Sequence, residues 1–154
     1  MPIWRKNTDE AWPSVRALFD TNVLIDFLLD RAPFADAAAD LLSRADRGEI
    51  QGLVCANSIT TIHYLVRKAV GVADARRHVA ALLSILDVAP VNRATLEHAL
   101  NSAMNDFEDA VIAESGRQAN ADCVVTRNER DFANSPIPAH SPQTLLGLLS
   151  KVLR

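Results

Sequence analysis

Val15-Arg16-Ala17-Leu18-Phe19-Asp20-Thr21-Asn22-Val23-Leu24 decides the architecture. A short strand-like run ends at an acid. Thr21-Asn22 then offers a helix cap before Val23, Leu24, Phe27 and Leu28, which fall on one helical stripe. Working outward, the same alternation recurs. Pro33 suits the first position of a second helix, which buries Ala37, Ala38, Leu41, Leu42 and Ala45 and ends at Gly48. Gly52-Leu53-Val54-Cys55-Ala56 reads as a buried strand, and Asn57 or Ser58 as the cap of a helix with Ile59, Ile62, Leu65, Val66 and Ala69 inward, stopped by Gly71. Residues 72–86 predict another helix, with Val79, Leu82, Leu83 and Leu86 as its stripe. Val88 to Val91 is a short strand, and Asn92 caps a helix through Leu96, Ala99, Leu100 and Ala103. Asp122-Cys123-Val124-Val125-Thr126 is the clearest strand. A little strand near Ala139-His140 leads to Ser141-Pro142, a cap and first-turn proline opening a last helix with Leu145, Leu146, Leu149 and Leu153. Short strands alternating with helices predict one α/β domain, with a central parallel sheet of about four to five strands covered on both faces.

The chain has 154 residues, 49% hydrophobic and 23% charged, which is enough for one domain with a full core. Residues 1–14 show no period and read as an arm ahead of a domain over 15–154, with Trp4 and Trp12 available to dock on the body or on a partner. The net charge of −3 gives no global basic field, so a nucleic-acid partner needs a local patch. Cys55 and Cys123 each sit in an apolar run and read as buried reduced thiols, which fits a cytoplasmic setting. No stretch has the apolar length of a membrane helix, and the first residues lack a signal-peptide core. The expectation is a cytoplasmic protein with no membrane contact.

Asp106-Phe107-Glu108-Asp109-Ala110-Val111-Ile112-Ala113 reads as the first turns of a helix bearing three acids and no base. Residues three apart share a helix face, so Asp106 and Asp109 project together, while Glu108 lies off that face and is read as solvated. Acids at a helix N-terminus are also ordinary dipole partners. Asp20 and Asp131 tip the balance. Both follow strand-like runs, and open parallel sheets bind ligands beyond the carboxyl ends of their strands. Singly, Asp20 is explained as a helix N-cap and Asp131 as a turn residue bonding its own backbone. Together, Asp20, Asp106, Asp109 and Asp131 form a costly like-charge cluster unless cations fill it or their pKa values rise. All-oxygen ligation suits Mg²⁺ or Mn²⁺. The chain has no histidine pair or thiolate cluster for zinc, no phosphate-cradling glycine loop, and no serine or cysteine beside an obvious base. Phosphodiester hydrolysis by water activated at a divalent ion needs only these parts.

Phe19-Asp20-Thr21-Asn22-Val23-Leu24-Ile25-Asp26, Asp106-Phe107-Glu108-Asp109-Ala110 and Val125-Thr126-Arg127-Asn128-Glu129-Arg130-Asp131-Phe132, in this order and spacing, resemble the successive motifs of PIN-domain nucleases. The closing Ser141-Pro142-Gln143-Thr144-Leu145-Leu146 is similar to that family's end, so the resemblance spans about residues 15–150. It implies a three-layer α/β/α fold and a metal-dependent ribonuclease using Mg²⁺ or Mn²⁺. Many members are toxins paired with an antitoxin, and many dimerise. By this resemblance Asp20 and Asp109 are the principal metal ligands, Asp131 with Asn128 completes the site directly or through water, and Asp106 supports it. Asn22 and Thr126 orient the acids.

One departure stands out. The family commonly places an acid early in its third helix, whereas Ser58-Ile59-Thr60-Thr61-Ile62-His63-Tyr64 has none, and His63 or a nearby hydroxyl holds that place. The departure leaves open a PIN-like scaffold that binds RNA or a partner without cutting. A phosphoryl-accepting domain with Asp20 as nucleophile is a further alternative, but it lacks the basic residue that such chemistry expects after a later strand. For the rim of a nuclease site the candidates are Arg67, Lys68, Arg76 and Arg77 on helices, and Arg127 and Arg130 beside Asp131. Arg127 and Arg130 are also placed to neutralise the acids through internal pairs.

Overall fold

The computed structural model describes residues 5–6 and 13–152. Within the expected arm, β1 (Arg5–Lys6) and β2 (Pro13–Ser14) form a two-residue antiparallel ladder. Trp4, Trp12 and Leu153 fall outside the described residues. The central sheet is built from β3 (Arg16–Phe19), β4 (Gln51–Cys55), β5 (Asp87–Ala89), β6 (Cys123–Val125) and β7 (Ala139–His140). Its order is β5-β4-β3-β6-β7, and every pairing is parallel. Strand β3 is central, with Leu18 opposite Leu53 on one side and Val124 on the other. The strand following that central one by sequence lies to its left and the fourth to its right, so the order reverses at β3. A ligand crevice belongs at such a switch point.

Among the described residues, seven helices cover the sheet: α1 (Thr21–Leu28), α2 (Ala35–Asp46), α3 (Ala56–Val70), α4 (Val72–Ile85), α5 (Arg93–Leu100), α6 (Phe107–Gln118) and α7 (Pro142–Val152). Alternate strand residues feed two cores. Ala17, Phe19, Val54, Cys123 and Val125 pack with Val23, Leu24, Leu41, Leu42, Ile62, Leu82, Leu145 and Leu149. Leu18, Leu53, Cys55 and Val124 pack with Ala99, Val111, Ile112, Ala113 and Phe132 on the opposite face. Both faces of the sheet are thus buried, which is why its strands read as nearly unbroken apolar runs. Gly116 sets how closely α6 approaches: a Cβ there would lie 3.2 Å from Leu18 and 3.1 Å from Ile137. That close approach seats the acid-bearing helix against the central strand. Cys55 and Cys123 are free and buried, and burial pushes the Cys123 thiol up to about 12. No helix among the described residues is long and apolar enough to cross a membrane.

Several local expectations shift. Helix α1 is capped by Asp20 rather than by Thr21 or Asn22. Helix α3 starts at Ala56 directly from β4, with no side-chain cap, so neither Asn57 nor Ser58 caps it. Ser58 is buried, and its hydroxyl instead accepts a 2.9 Å hydrogen bond from Thr21. Pro33 follows a cis peptide bond and precedes α2, whose first residue is Ala35. Leu83, Leu96 and Leu100 are exposed, and α5 stops before Ala103. Helices α4 and α5 are outer covers, and the inward stripe each one buries is narrower than its apolar pattern. Ser141 and Pro142 open α7 as expected, the Ser141 hydroxyl accepting from the Thr144 N–H at 3.1 Å.

Candidate active site

Strand β3 delivers Asp20 to the carboxyl edge of the sheet. The Asp20 N–H extends the strand pairing by donating to the Val125 carbonyl at 2.9 Å. Its side chain, 6% exposed, then turns back as the N-cap of α1. Oδ1 accepts from the Thr21 N–H at 2.9 Å, and Oδ2 accepts from the Thr126 hydroxyl at 2.8 Å. Thr126, fully buried at the end of β6, in turn accepts from the Asn128 N–H at 3.0 Å. One hydroxyl therefore ties the first acid to the loop that carries Asn128 and Asp131. Thr126 holds one Asp20 oxygen by this hydrogen bond. Asn22 lines the cleft but orients neither acid by a hydrogen bond seen here, and its buried Oδ1 has no partner.

Helix α6 supplies the second group. Asp106 is its N-cap, just outside the helix proper, and accepts from the Asp109 N–H at 2.9 Å. Asp20, Asp106, Glu108, Asp109, Asn128 and Asp131 line one cleft of about 300 Å³. Glu108 is exposed, as a solvated acid is, and it also reaches this cleft. Side chains of a first turn lean toward the helix N-terminus, so a cleft that meets the helix end receives acids from more than one flank. Asp131 sits in the short 3-10 turn Glu129–Phe132, its N–H donating to the Asn128 carbonyl at 3.0 Å.

The electrostatics follow from this crowding. Burial raises the Asp20 carboxyl above its ordinary value, opposed by the hydrogen bonds from Thr126 and Thr21 and reinforced by the charges of Glu108 and Asp131. Asp109 is pushed up to about 7, first by burial and then by the charges of Asp20, Asp106, Asp131 and Glu108. These are the two ways in which a carboxylate is held neutral: desolvation and like charge. Among the described residues, no group of three or more His, Cys, Asp or Glu is drawn together into a ready metal-ligand set. The acids share a cleft without closing on one point. That arrangement fits a hard divalent ion, which takes one or two carboxylates and keeps several waters. The donors facing the cleft are oxygen ligands, with no thiolate or imidazole among them, which again suits Mg²⁺ or Mn²⁺ rather than zinc.

The two arginines beside Asp131 take different places. Arg127 turns inward: its Nε donates to Asp26 Oδ2 at 2.6 Å and its Nη2 to Asp26 Oδ1 at 3.3 Å, while its guanidinium lies 4.1 Å from the Phe34 ring centroid. Asp26 is buried, and a buried carboxylate demands such a partner. Arg127 is therefore an internal brace for Asp26, and what remains exposed of it lines a recess beside Arg130 and Asp131. Arg130 is exposed and, with Asp106 and Asp131, lines a small neighbouring recess of about 90 Å³. His63 faces a different groove, between α3 and α4, with Ile59, Arg76, Val79 and Leu83. The group that α3 presents to the acid cleft is Leu65. Two participants went unnoticed in the sequence: Asp26, whose partner lies a hundred residues away in the chain, and Arg31, which lines the acid cleft. The Asp26 of the first motif was a visible signal; Arg31 had none.

A parallel sheet whose switch point opens on a cleft of carboxylates defines a class of domain suited to cations and phosphate esters. The PIN-domain family profile matches residues 16–130, and the chain belongs to that family, a family of nucleases. A search of curated proteins finds no match. Solved structures share the fold. VapBC2 from Rickettsia felis, bound to a DNA fragment from its promoter, is similar with a TM-score of 0.65 and 15% identity, covering 82% of this chain and 98% of that one. A toxin–antitoxin complex from Klebsiella pneumoniae gives a TM-score of 0.63 and 22% identity, over 82% of this chain and 97% of that one. Mycobacterium tuberculosis VapC20, a sarcin-ricin loop cleaving toxin, gives a TM-score of 0.63 and 14% identity, over 76% and 93%.

Proposed function

We propose that the chain is a metal-dependent endoribonuclease and the toxin of a toxin–antitoxin pair. The observation that supports it is the crowding of Asp20, Asp106, Glu108, Asp109 and Asp131 on one cleft, with Asp109 pushed to about 7 by burial and by its neighbours' charges. Such a cluster is poised for a cation. Asp20 and Asp109 would hold Mg²⁺ or Mn²⁺, with Asp131 and Asn128 completing the site directly or through water. When bound, the ion lowers the pKa of water and offsets charge on the phosphate and the leaving oxygen. The protein's own groups do the positioning. Thr126 and the Thr21 N–H each hold one oxygen of Asp20, which leaves the remaining lone pairs of that carboxylate for a ligand. Asp106 caps α6 and thereby fixes the turn that carries Asp109. Arg130 serves the rim. The similar toxin–antitoxin complex from Klebsiella pneumoniae supports an antitoxin as protein partner, and the reading includes a homodimer in the cytoplasm.

The test is incubation of the purified protein with single-stranded RNA and Mn²⁺. Cleavage is expected with the ion and none with excess chelator. Cleavage that persists in chelator removes the reading. A second reading, a PIN-like scaffold that binds RNA or a partner without cutting, draws support from Leu65, because α3 gives the cleft an apolar side chain in place of an acid. It predicts RNA binding with no metal-stimulated turnover in the same assay.

A further inference from the structure

Asp26 has two arginine neighbours, and they are not equivalent. Arg127 reaches both of its oxygens, at 2.6 and 3.3 Å, and is largely covered. Arg31 Nη1 stands 3.8 Å from Oδ1, an ion-pair distance beyond hydrogen-bond reach, and 48% of the Arg31 side chain is exposed. Asp26 is thus satisfied without Arg31, whose donors remain available. The backbone that carries Arg31 is fixed. Its N–H donates to the Asp26 carbonyl at 2.9 Å, and its carbonyl accepts from the Phe34 and Ala35 N–H groups at 2.9 and 2.8 Å. Only the side chain has room to move. Among the described residues, Arg31 is the one cation lining the acid cleft.

We propose that Arg31 is a substrate-binding residue whose guanidinium takes a phosphate of the RNA strand held in the acid cleft. The planar fork of arginine matches two phosphate oxygens at once, and on a rigid turn only the side chain, not the backbone, has to be ordered. Arg127 discharges the internal duty, which frees Arg31 for an external one. The inference rests on the ribonuclease reading and assigns the phosphate contact within that site.

The experiment compares wild-type, Arg31→Ala and Arg31→Lys proteins in two assays. In Mn²⁺, Arg31→Ala is expected to raise KM for a single-stranded RNA oligonucleotide about tenfold with kcat within about threefold, the pattern of a lost binding contact, and Arg31→Lys to recover only part of it, since an ammonium keeps the charge but not the two-pronged contact. In Ca²⁺, anisotropy of a labelled oligonucleotide is followed from 50 to 200 mM KCl. The slope of log K against log salt should be shallower by about 0.7 for Arg31→Ala and unchanged for Arg31→Lys, as expected for one phosphate contact on a single strand. Equal slopes and equal KM for wild type and Arg31→Ala overturn the proposal while leaving the nuclease intact. A lowered Tm for Arg31→Ala with an unchanged slope also overturns it, by making Arg31 a brace for Asp26. Wild-type protein that neither binds nor cleaves RNA removes the ribonuclease reading and this inference with it.

Discussion

Asp20→Asn is expected to lower Mn²⁺-dependent RNA cleavage on the order of a thousandfold while leaving the fold intact. Loss of a partner that merely orients a metal ligand costs about 10–100-fold, and loss of a ligand itself should exceed that. The fold should persist because asparagine caps helices as well as aspartate does, and its side-chain oxygen still accepts from Thr126 or from the Thr21 N–H. Asp20 carries its charge in a buried place that raises its carboxyl, so a neutral side chain relieves strain rather than creating it. Cleavage kinetics with circular dichroism on the same samples check this. A loss of activity accompanied by unfolding would move Asp20 from the chemistry to the scaffold, and retained activity would exclude it from both.

Asp109→Asn should abolish cleavage yet stabilise the metal-free protein at pH 8. The sign comes from linkage. The Asp109 carboxyl sits at about 7 in the folded protein against an ordinary value of 3.8, so between those values the folded state binds more protons than the unfolded one. Stability therefore falls as pH rises through that window and levels off above it. Asp109 lies in the first turn of α6, where the helix dipole favours an anion by about 0.3–1 kcal/mol. Its raised value means that burial and the other acids outweigh that benefit. The group is partly open to solvent, so screening reduces the gain to about 1 kcal/mol, or about 2–4 °C in Tm for a chain of this length. Thermal melts in chelator should show wild type less stable at pH 8 than at pH 5.5, with the variant flattening that difference. A variant less stable than wild type at pH 8 would show that repulsion is not what governs this cleft.

The strand-to-helix unit around Asp20 was legible because it is local: an apolar run, an acid and an amphipathic stripe occupy adjacent positions, and the sheet follows from its repetition. Asn92 and Ser141-Pro142 were legible for the same reason, being caps whose partners lie three residues on. Pro33 misled, because a proline suits either a first helical turn or the turn before it, and the chain uses the latter. Glu108 was legible as a solvated acid, and only its place on the cleft rim needed the seating of α6. That Arg127 pairs with Asp26 in particular was out of reach. It depends on a buried Asp26 whose partner is fixed only when β6 is laid beside β3. His63 was assigned to the missing acid's place by helix position alone, and the packing of α3 against α4 turns it to another groove.

The central claim is that carboxylates distant in sequence meet to bind one divalent ion, and calorimetric titration with Mn²⁺ at pH 7 tests it most directly. Run in two buffers of different ionisation enthalpy, the titration reports proton release as well as affinity. Wild type should bind Mn²⁺ and release roughly half a proton per ion, because a carboxyl at about 7 must give up its proton to become a ligand. Asp20→Asn should bind at least about tenfold more weakly, and Asp109→Asn should release no proton. Equal affinity in all three proteins, or the absence of binding by wild type at millimolar Mn²⁺, would contradict the account.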